Sequence, residues 1–198
     1  SGLGDIARVA GRLALGRLSP RDLVSLSAAI ARIDPLRDTM SSTPSLAPLL
    51  ETLDSLAAGL APLGEAIESA CVEDPPGSLR EGGLIRDGVD RDLDEARGLQ
   101  HDAGAWLSDY QTRLIERHDL PSLKVGYNKV FGYYIELPSA QAKRAPAELT
   151  RKQTLKNAER FITPELREFE GKVTTAQSRA LARERELFDD LVARAFPQ

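Results

Sequence analysis

The chain has 198 residues, a formal net charge of −4, 41% hydrophobic content and only 5% aromatic residues. That is long enough for one large or two small domains, with a core built mainly from Leu, Ala, Ile and Val. It excludes a protein uniformly devoted to a polyanion, and the single cysteine, Cys71, excludes an intrachain disulfide and suits a reducing compartment. From about Leu3 to Leu15, Ile6, Val9, Ala10, Leu13 and Ala14 recur at helical spacing, and Gly16 suits the stop. Ser19-Pro20 with Asp22 reads as an N-cap, a first helical residue and a first-turn acid. The helix they open is predicted to run to Ile33 and to end at Asp34-Pro35. Thr39 to Ser45 reads as a loop. Leu46, Leu49, Leu50, Leu53, Leu56, Leu60 and Leu63 then keep helical phase to about Cys71, with an interruption expected near Gly59 and Pro62.

Pro75, Pro76, Gly77, Gly82, Gly83 and Gly88 make the next stretch a long turn, with a short strand expected at Leu84 to Arg86. One helix is predicted from about Asp90 to Arg117, where Leu93, Ala96, Gln100, Ala103, Leu107, Tyr110 and Leu114 alternate steps of three and four. Leu123 to Leu137 reads as a β-hairpin, with Val125 and Tyr127 on one arm, Tyr133, Ile135 and Leu137 on the other, and Asn128 and Gly132 supplying the turn. A second hairpin precedes Thr163-Pro164, where sheet gives way to helix. The returning helix carries a like seam: Leu166, Phe169, Val173, Ala176, Ala180, Leu187 and Leu191. Each seam helix is about 40 Å long at 1.5 Å per residue. The expected fold is mainly α, an antiparallel pair of long helices carrying a small antiparallel β-sheet at its tip.

Charge is segregated along the chain. Residues 124–160 hold eight lysines and arginines against three glutamates, which makes this stretch +5 and leaves the remainder at −9. A basic sheet on an acidic helical body points to a polyanion at one end. Lys129, Lys152, Lys156 and Asn157 fall at or near the hairpin turns, where they can reach phosphate oxygens. The bland alternative is an edge strand guarded by charge.

LKVGYN, FGYYIE and RKQTLKNAERFITPEL stand here in the order and spacing of the clamp domain of the MutS family of DNA mismatch-repair ATPases. DIARVAGRLALGRLSPRDL, from Asp5 to Leu23, resembles the start of that family's core, and EDPPGSLREGGLIRDG, from Glu73 to Gly88, its core-to-lever passage. The resemblance implies a core and lever segment over 1–96, a clamp over 97–165 and a returning lever helix over 166–198. It also implies backbone contact with double-stranded DNA through Asn128, Lys129, Arg151, Lys152, Lys156 and Asn157. The parent would be a cytoplasmic, dimeric, DNA-dependent ATPase that uses ATP and magnesium and works with other mismatch-repair proteins. The family's mismatch-reading and ATPase domains are not matched by any stretch of this chain. Leu149 stands where an aromatic residue is common in the family, which puts one packing contact in question.

Catalytic chemistry is hard to find. There is no G-x-x-x-x-G-K-[ST] run to cradle phosphates, so this chain is not expected to be an enzyme or to hold a cofactor. His101 and His118 lack Cys or His at ligand spacing and read as solvated surface residues. Cys71 reads as buried packing. The acidic runs Asp87 to Glu95 and Glu184 to Asp190 read as solvated faces. Tyr134-Ile135-Glu136 imitates the aromatic-x-Glu motif with which the family reads mismatches, but that motif belongs to a separate N-terminal domain. No apolar run suits a bilayer and no leader opens the sequence, so no membrane partner is expected. The rival function is a structural helical module whose basic sheet docks an acidic protein.

Overall fold

The computed structural model describes residues 3–195. It divides into two compact units, one of residues 1–93 with 180–198 and the other of residues 94–179.

The first unit is helical. α1 (Leu3–Ala14) leads through Gly16 to α2 (Pro20–Ile30). Ser19 caps α2 as its spacing predicts: its hydroxyl accepts from the Asp22 N–H while the Asp22 carboxylate accepts from the Ser19 N–H at 3.0 Å. Arg12 of α1 reaches the same carboxylate at 2.8 Å. Contrary to expectation, α2 stops at Ile30, and Asp34-Pro35 opens a new helix, α3 (Ile33–Met40). Pro35 is tolerated in that first turn because the N–H it lacks has no intrahelical partner there. The interruption expected near Gly59 and Pro62 is also absent: α4 (Ala47–Ala70) runs through both. Packing explains this, since Leu63, Gly64 and Ile67 are buried and the Ser27 hydroxyl of α2 donates to the Gly64 carbonyl at 3.0 Å. Burial of that face outweighs one lost hydrogen bond.

The strand expected at Leu84 to Arg86 shrinks to a single antiparallel bridge between Cys71 and Ile85. The turn around it is held by an unforeseen buried acid. Glu184, expected on a solvated face, is only 2% exposed and accepts from the N–H groups of Gly83 and Ile85, both at 2.9 Å. A loop that buries its amides needs such an acceptor, and a carboxylate on a neighbouring helix supplies it. Asp90 performs a similar service, accepting from the Leu93 N–H at 2.9 Å while Arg183 grips both its oxygens at 2.7 and 3.1 Å.

The second unit holds the sheet. α5 (Arg91–His101) and α6 (Ala103–His118) replace the one long helix expected, parted at Asp102 alone. Gly98 and Gly104 flank that point and weaken the helix there. Then come β1 (Lys124–Asn128), β2 (Gly132–Pro138), the short α7 (Ser139–Ala142), β3 (Thr150–Thr154), β4 (Ala158–Ile162) and α8 (Pro164–Arg194). All pairings are antiparallel, in the order β1-β2-β4-β3. Tyr133, Ile135, Leu137 and Phe161 turn one face of the sheet into a core shared with Tyr110 and Leu114 of α6 and Leu166 of α8. Leu149 is itself part of that core, at 6% exposure.

Within this unit, α6 and the first part of α8 run antiparallel, because Trp106 stacks on Phe169 with 3.7 Å between ring centroids while Arg113 pairs with Glu165 at 2.8 Å. Seam residues Leu93, Ala96, Ala103, Tyr110, Leu114, Leu166, Ala176, Ala180 and Leu191 are buried; Leu107, Phe169, Val173 and Leu187 are half-buried. Thr163 joins sheet to helix. Its hydroxyl oxygen accepts from the Leu166 N–H at 3.0 Å and also bonds the Tyr110 hydroxyl, with both side chains buried.

Thr163→Val is therefore expected to lower stability by about 2–4 kcal/mol, combining the lost cap with an orphaned buried phenol. Thermal melting checks this, with the exposed Thr175→Val as the silent control. In the other unit, the Arg183 pair holds the Asp90 carboxyl below its ordinary value of 3.8. A lowered folded pKa means that the pair's contribution is complete above about pH 4 and is lost as pH falls through the lower folded value. The acid limb of a melting-against-pH curve should thus flatten in Asp90→Asn.

Candidate nucleic-acid interface

The residues that charge and spacing single out are scattered by the sheet topology. Asn128 pairs with Gly132 at one end of β2, while Pro138 at the other end pairs with Ala158, the first residue after the β3-β4 turn. The two hairpin turns therefore sit at opposite ends of the sheet, six residue steps or roughly 20 Å apart. Lys129 lies at one end, Lys156 and Asn157 at the other.

The β1-β2 turn is built by its own side chains. The Asn128 carboxamide oxygen accepts from the N–H groups of Val130 at 2.8 Å and Phe131 at 3.2 Å. Gly132 takes φ +73, and a side chain there would collide with the Glu170 carboxylate, which accepts from the Tyr133 N–H at 3.3 Å. Lys152 reaches the same turn, donating to the carbonyls of Phe131 and Tyr133. It can do so because it is the extra residue at a bulge between Arg151 and Gln153, which re-aims its side chain. Tyr127, Val130 and Phe131 remain exposed around Lys129, an apolar turn that periodicity alone does not reveal.

The outer face of the sheet is occupied by itself. Tyr134 lies flat across Gly126, where an added Cβ would come within 2.8 Å of the ring, and the Arg160 guanidinium sits 4.0 Å from the ring centroid. Arg160 also bonds Glu136 at 2.9 Å and Gln153 at 3.2 Å. The Tyr134-Ile135-Glu136 triplet is thus closed by Arg160. Arg151 pairs with Glu159 at 2.6 Å and Arg144 faces Asp119 at 3.7 Å. Four of the eight cations between Lys124 and Arg160 are therefore committed to carboxylates or carbonyls. The other four, Lys124, Lys129, Lys143 and Lys156, are exposed, with no ion pair or hydrogen bond from their ammonium groups among the described residues.

His118, expected to be solvated, is instead 16% exposed and bonds the Glu148 carboxylate. Burial pushes the Cys71 thiol up to about 11, so it is inert packing at neutral pH. Among the described residues, no group of three or more His, Cys, Asp or Glu could hold a metal, and no helix is long and apolar enough to cross a membrane.

Four exposed, unpaired amines thus stand towards the ends of a sheet backed by a packed core. Residues 88–179 match the family model described as MutS family domain IV, a non-catalytic DNA-binding domain. The match spans just under half of the chain and supports a fragment of the MutS family of DNA mismatch repair.

Gly126→Ala is expected to push Tyr134 off Arg160 and lower stability by about 1–2 kcal/mol. A tyrosine ring shift in the NMR spectrum, together with thermal melting, checks both parts.

Proposed function

We propose that this chain is the core, lever and clamp segment of a mismatch-repair sensor, and that its sheet grips the phosphodiester backbone of duplex DNA without reading bases. In that reading 1–96 is core and lever, 97–165 the clamp and 166–198 the returning lever helix. The parent is a cytoplasmic dimer driven by ATP and magnesium bound elsewhere, working with other mismatch-repair proteins. The observation that supports the reading is the match to MutS family domain IV over a stretch in which Lys124, Lys129, Lys143 and Lys156 stand exposed and unpaired.

Of the six candidate contacts, Lys129, Lys156 and Asn157 offer side chains to phosphate. Asn128, Arg151 and Lys152 are spent on the sheet itself, so their loss would act through turn geometry rather than through a lost contact. A backbone reader treats unrelated sequences alike, whereas a module for an acidic protein would not hold duplex in a salt-dependent manner.

Duplex binding by the 198-residue chain should be weak, about 10⁻⁴ to 10⁻⁶ M, and equal for matched and mismatched duplexes. Lys156→Glu should weaken both by the same factor. The control is Arg179→Glu on exposed α8 surface. Arg183, by contrast, holds Asp90 and would confound binding with stability. Fluorescence anisotropy decides: a loss confined to mismatched duplexes, or an equal loss from Arg179→Glu, would contradict backbone contact at the sheet.

A further inference from the structure

The helical unit carries an open groove along the seam between α2 and α4. Two cavities of about 160 Å³ each form it, and they share Ser27, Ala31 and Glu68. Val24 and Ala28 of α2 and Ile67 of α4 wall the first; Ile30, Ile33, Ala57 and Ala61 wall the second. All of these residues belong to the first unit. Small side chains keep the groove open. At Gly64 a Cβ would stand 3.0 Å from the Ile30 side chain, so the glycine lets α2 lie against α4, while the exposed Ala28, Ala31 and Ala61 leave hollows beside that contact. An apolar cavity of roughly 150 Å³ takes up benzene, so each hollow accepts one aliphatic or aromatic side chain. The hollows centre about six residues apart along α4, roughly 9 Å at 1.5 Å per residue. That is close to the separation of anchors two turns apart on a helix laid in a groove.

The rim of the groove is negative and uncompensated. Glu65, Glu68 and Glu73 line it, are exposed, and have no ion pair or hydrogen bond from their carboxylates among the described residues. Asp34 adds a further carboxylate, which Arg37 pairs at 3.2 Å. α2 and α4 both end at the groove and neither has a basic residue in its last turn, so the negative ends of two helix dipoles add to these acids. The one cation among the lining residues, Arg86, donates to the Cys71 carbonyl at 2.6 Å. An acid set near a helix C-terminus is unfavourable on its own and becomes favourable once a partner's cation meets it. We infer that this groove docks a basic amphipathic helix of a protein partner, with apolar side chains in the two hollows and lysines or arginines against Glu65, Glu68 and Glu73. The surface lies in the helical unit, and its partner is independent of any duplex.

The experiment is fluorescence anisotropy with the 198-residue chain and a labelled synthetic helix of about five turns that carries Leu and Ala on one face and Lys and Arg on the other. The expected result is saturable binding that A28Q and A61Q each weaken by roughly tenfold or more, because the longer side chain fills a hollow without changing charge. E65Q and E68Q should each weaken it about two- to fivefold, the range of exposed ion pairs. E116Q, which removes an exposed acid in the other unit, should leave it unchanged. All five side chains are exposed, so melting temperatures should not fall. Equal binding of a peptide of the same composition with its apolar face scrambled, or an equal loss from E116Q, would mean that net charge attracts the probe and would overturn the groove. Binding that A28Q and A61Q leave intact, or no saturable binding at all, would overturn it too. Sedimentation of the chain alone completes the test: a dimer that A61Q dissociates would assign the groove to a second copy and overturn the basic partner.

Discussion

Thr163 is the residue on which the sheet-bearing unit turns. It ends β4, caps α8 and shares its hydroxyl with Tyr110, so one buried oxygen sets where the strand stops and which face of the helix meets α6. Everything near it follows from that registration. Trp106 can stack on Phe169, Tyr133 can meet Phe169 edge-on at 5.6 Å, and Leu166 can drop fully into the core only if α8 starts at Pro164 in that orientation. The aromatic residues are few, but they are concentrated here, where large rigid rings fill the space between two helices and a sheet.

Half of the positive charge in and around the sheet serves the sheet. Arg160 is held over Tyr134 and against Glu136, Arg151 against Glu159, and Lys152 against two backbone carbonyls. These contacts tie strand to strand, and Lys152 ties one hairpin to the turn of the other. A small sheet needs such ties, because four strands with one buried face have little area from which to draw stability. What remains for an external polyanion is the half of these cations, all lysines, that no neighbour claims. Local net charge therefore overstates how many cations are available to an external partner, because half of them are already paired within the protein.

The helical unit uses the same economy of acceptors. Gly83 and Ile85 bury their amides against Glu184, and Asp90 is shared between a helix cap and Arg183. Acidic residues in a run that looks uniformly solvated are thus divided between water and structure. Nothing in their spacing separates Glu184 from Glu186; only the loop packed against one of them does.

The sequence by itself determined the elements whose signals are local: the Ser19 cap, both hairpins, the Asn128 turn, the Thr163-Pro164 junction, the two apolar seams and the likeness of the sheet-bearing stretch to MutS family domain IV. Those depend on side chains a few residues apart, and periodicity or turn chemistry reports them directly. The continuity of α4 through Pro62, the new helix at Pro35 and the burial of Glu184 depend on what packs against them, which no local pattern carries. The placement of the lysines belongs to the same class. Lys129 and Lys156 look equivalent along the chain, each at a hairpin turn. Antiparallel pairing of β2 with β4 sends those turns to opposite ends, and a bulge at Lys152 turns its ammonium group onto the sheet's own carbonyls.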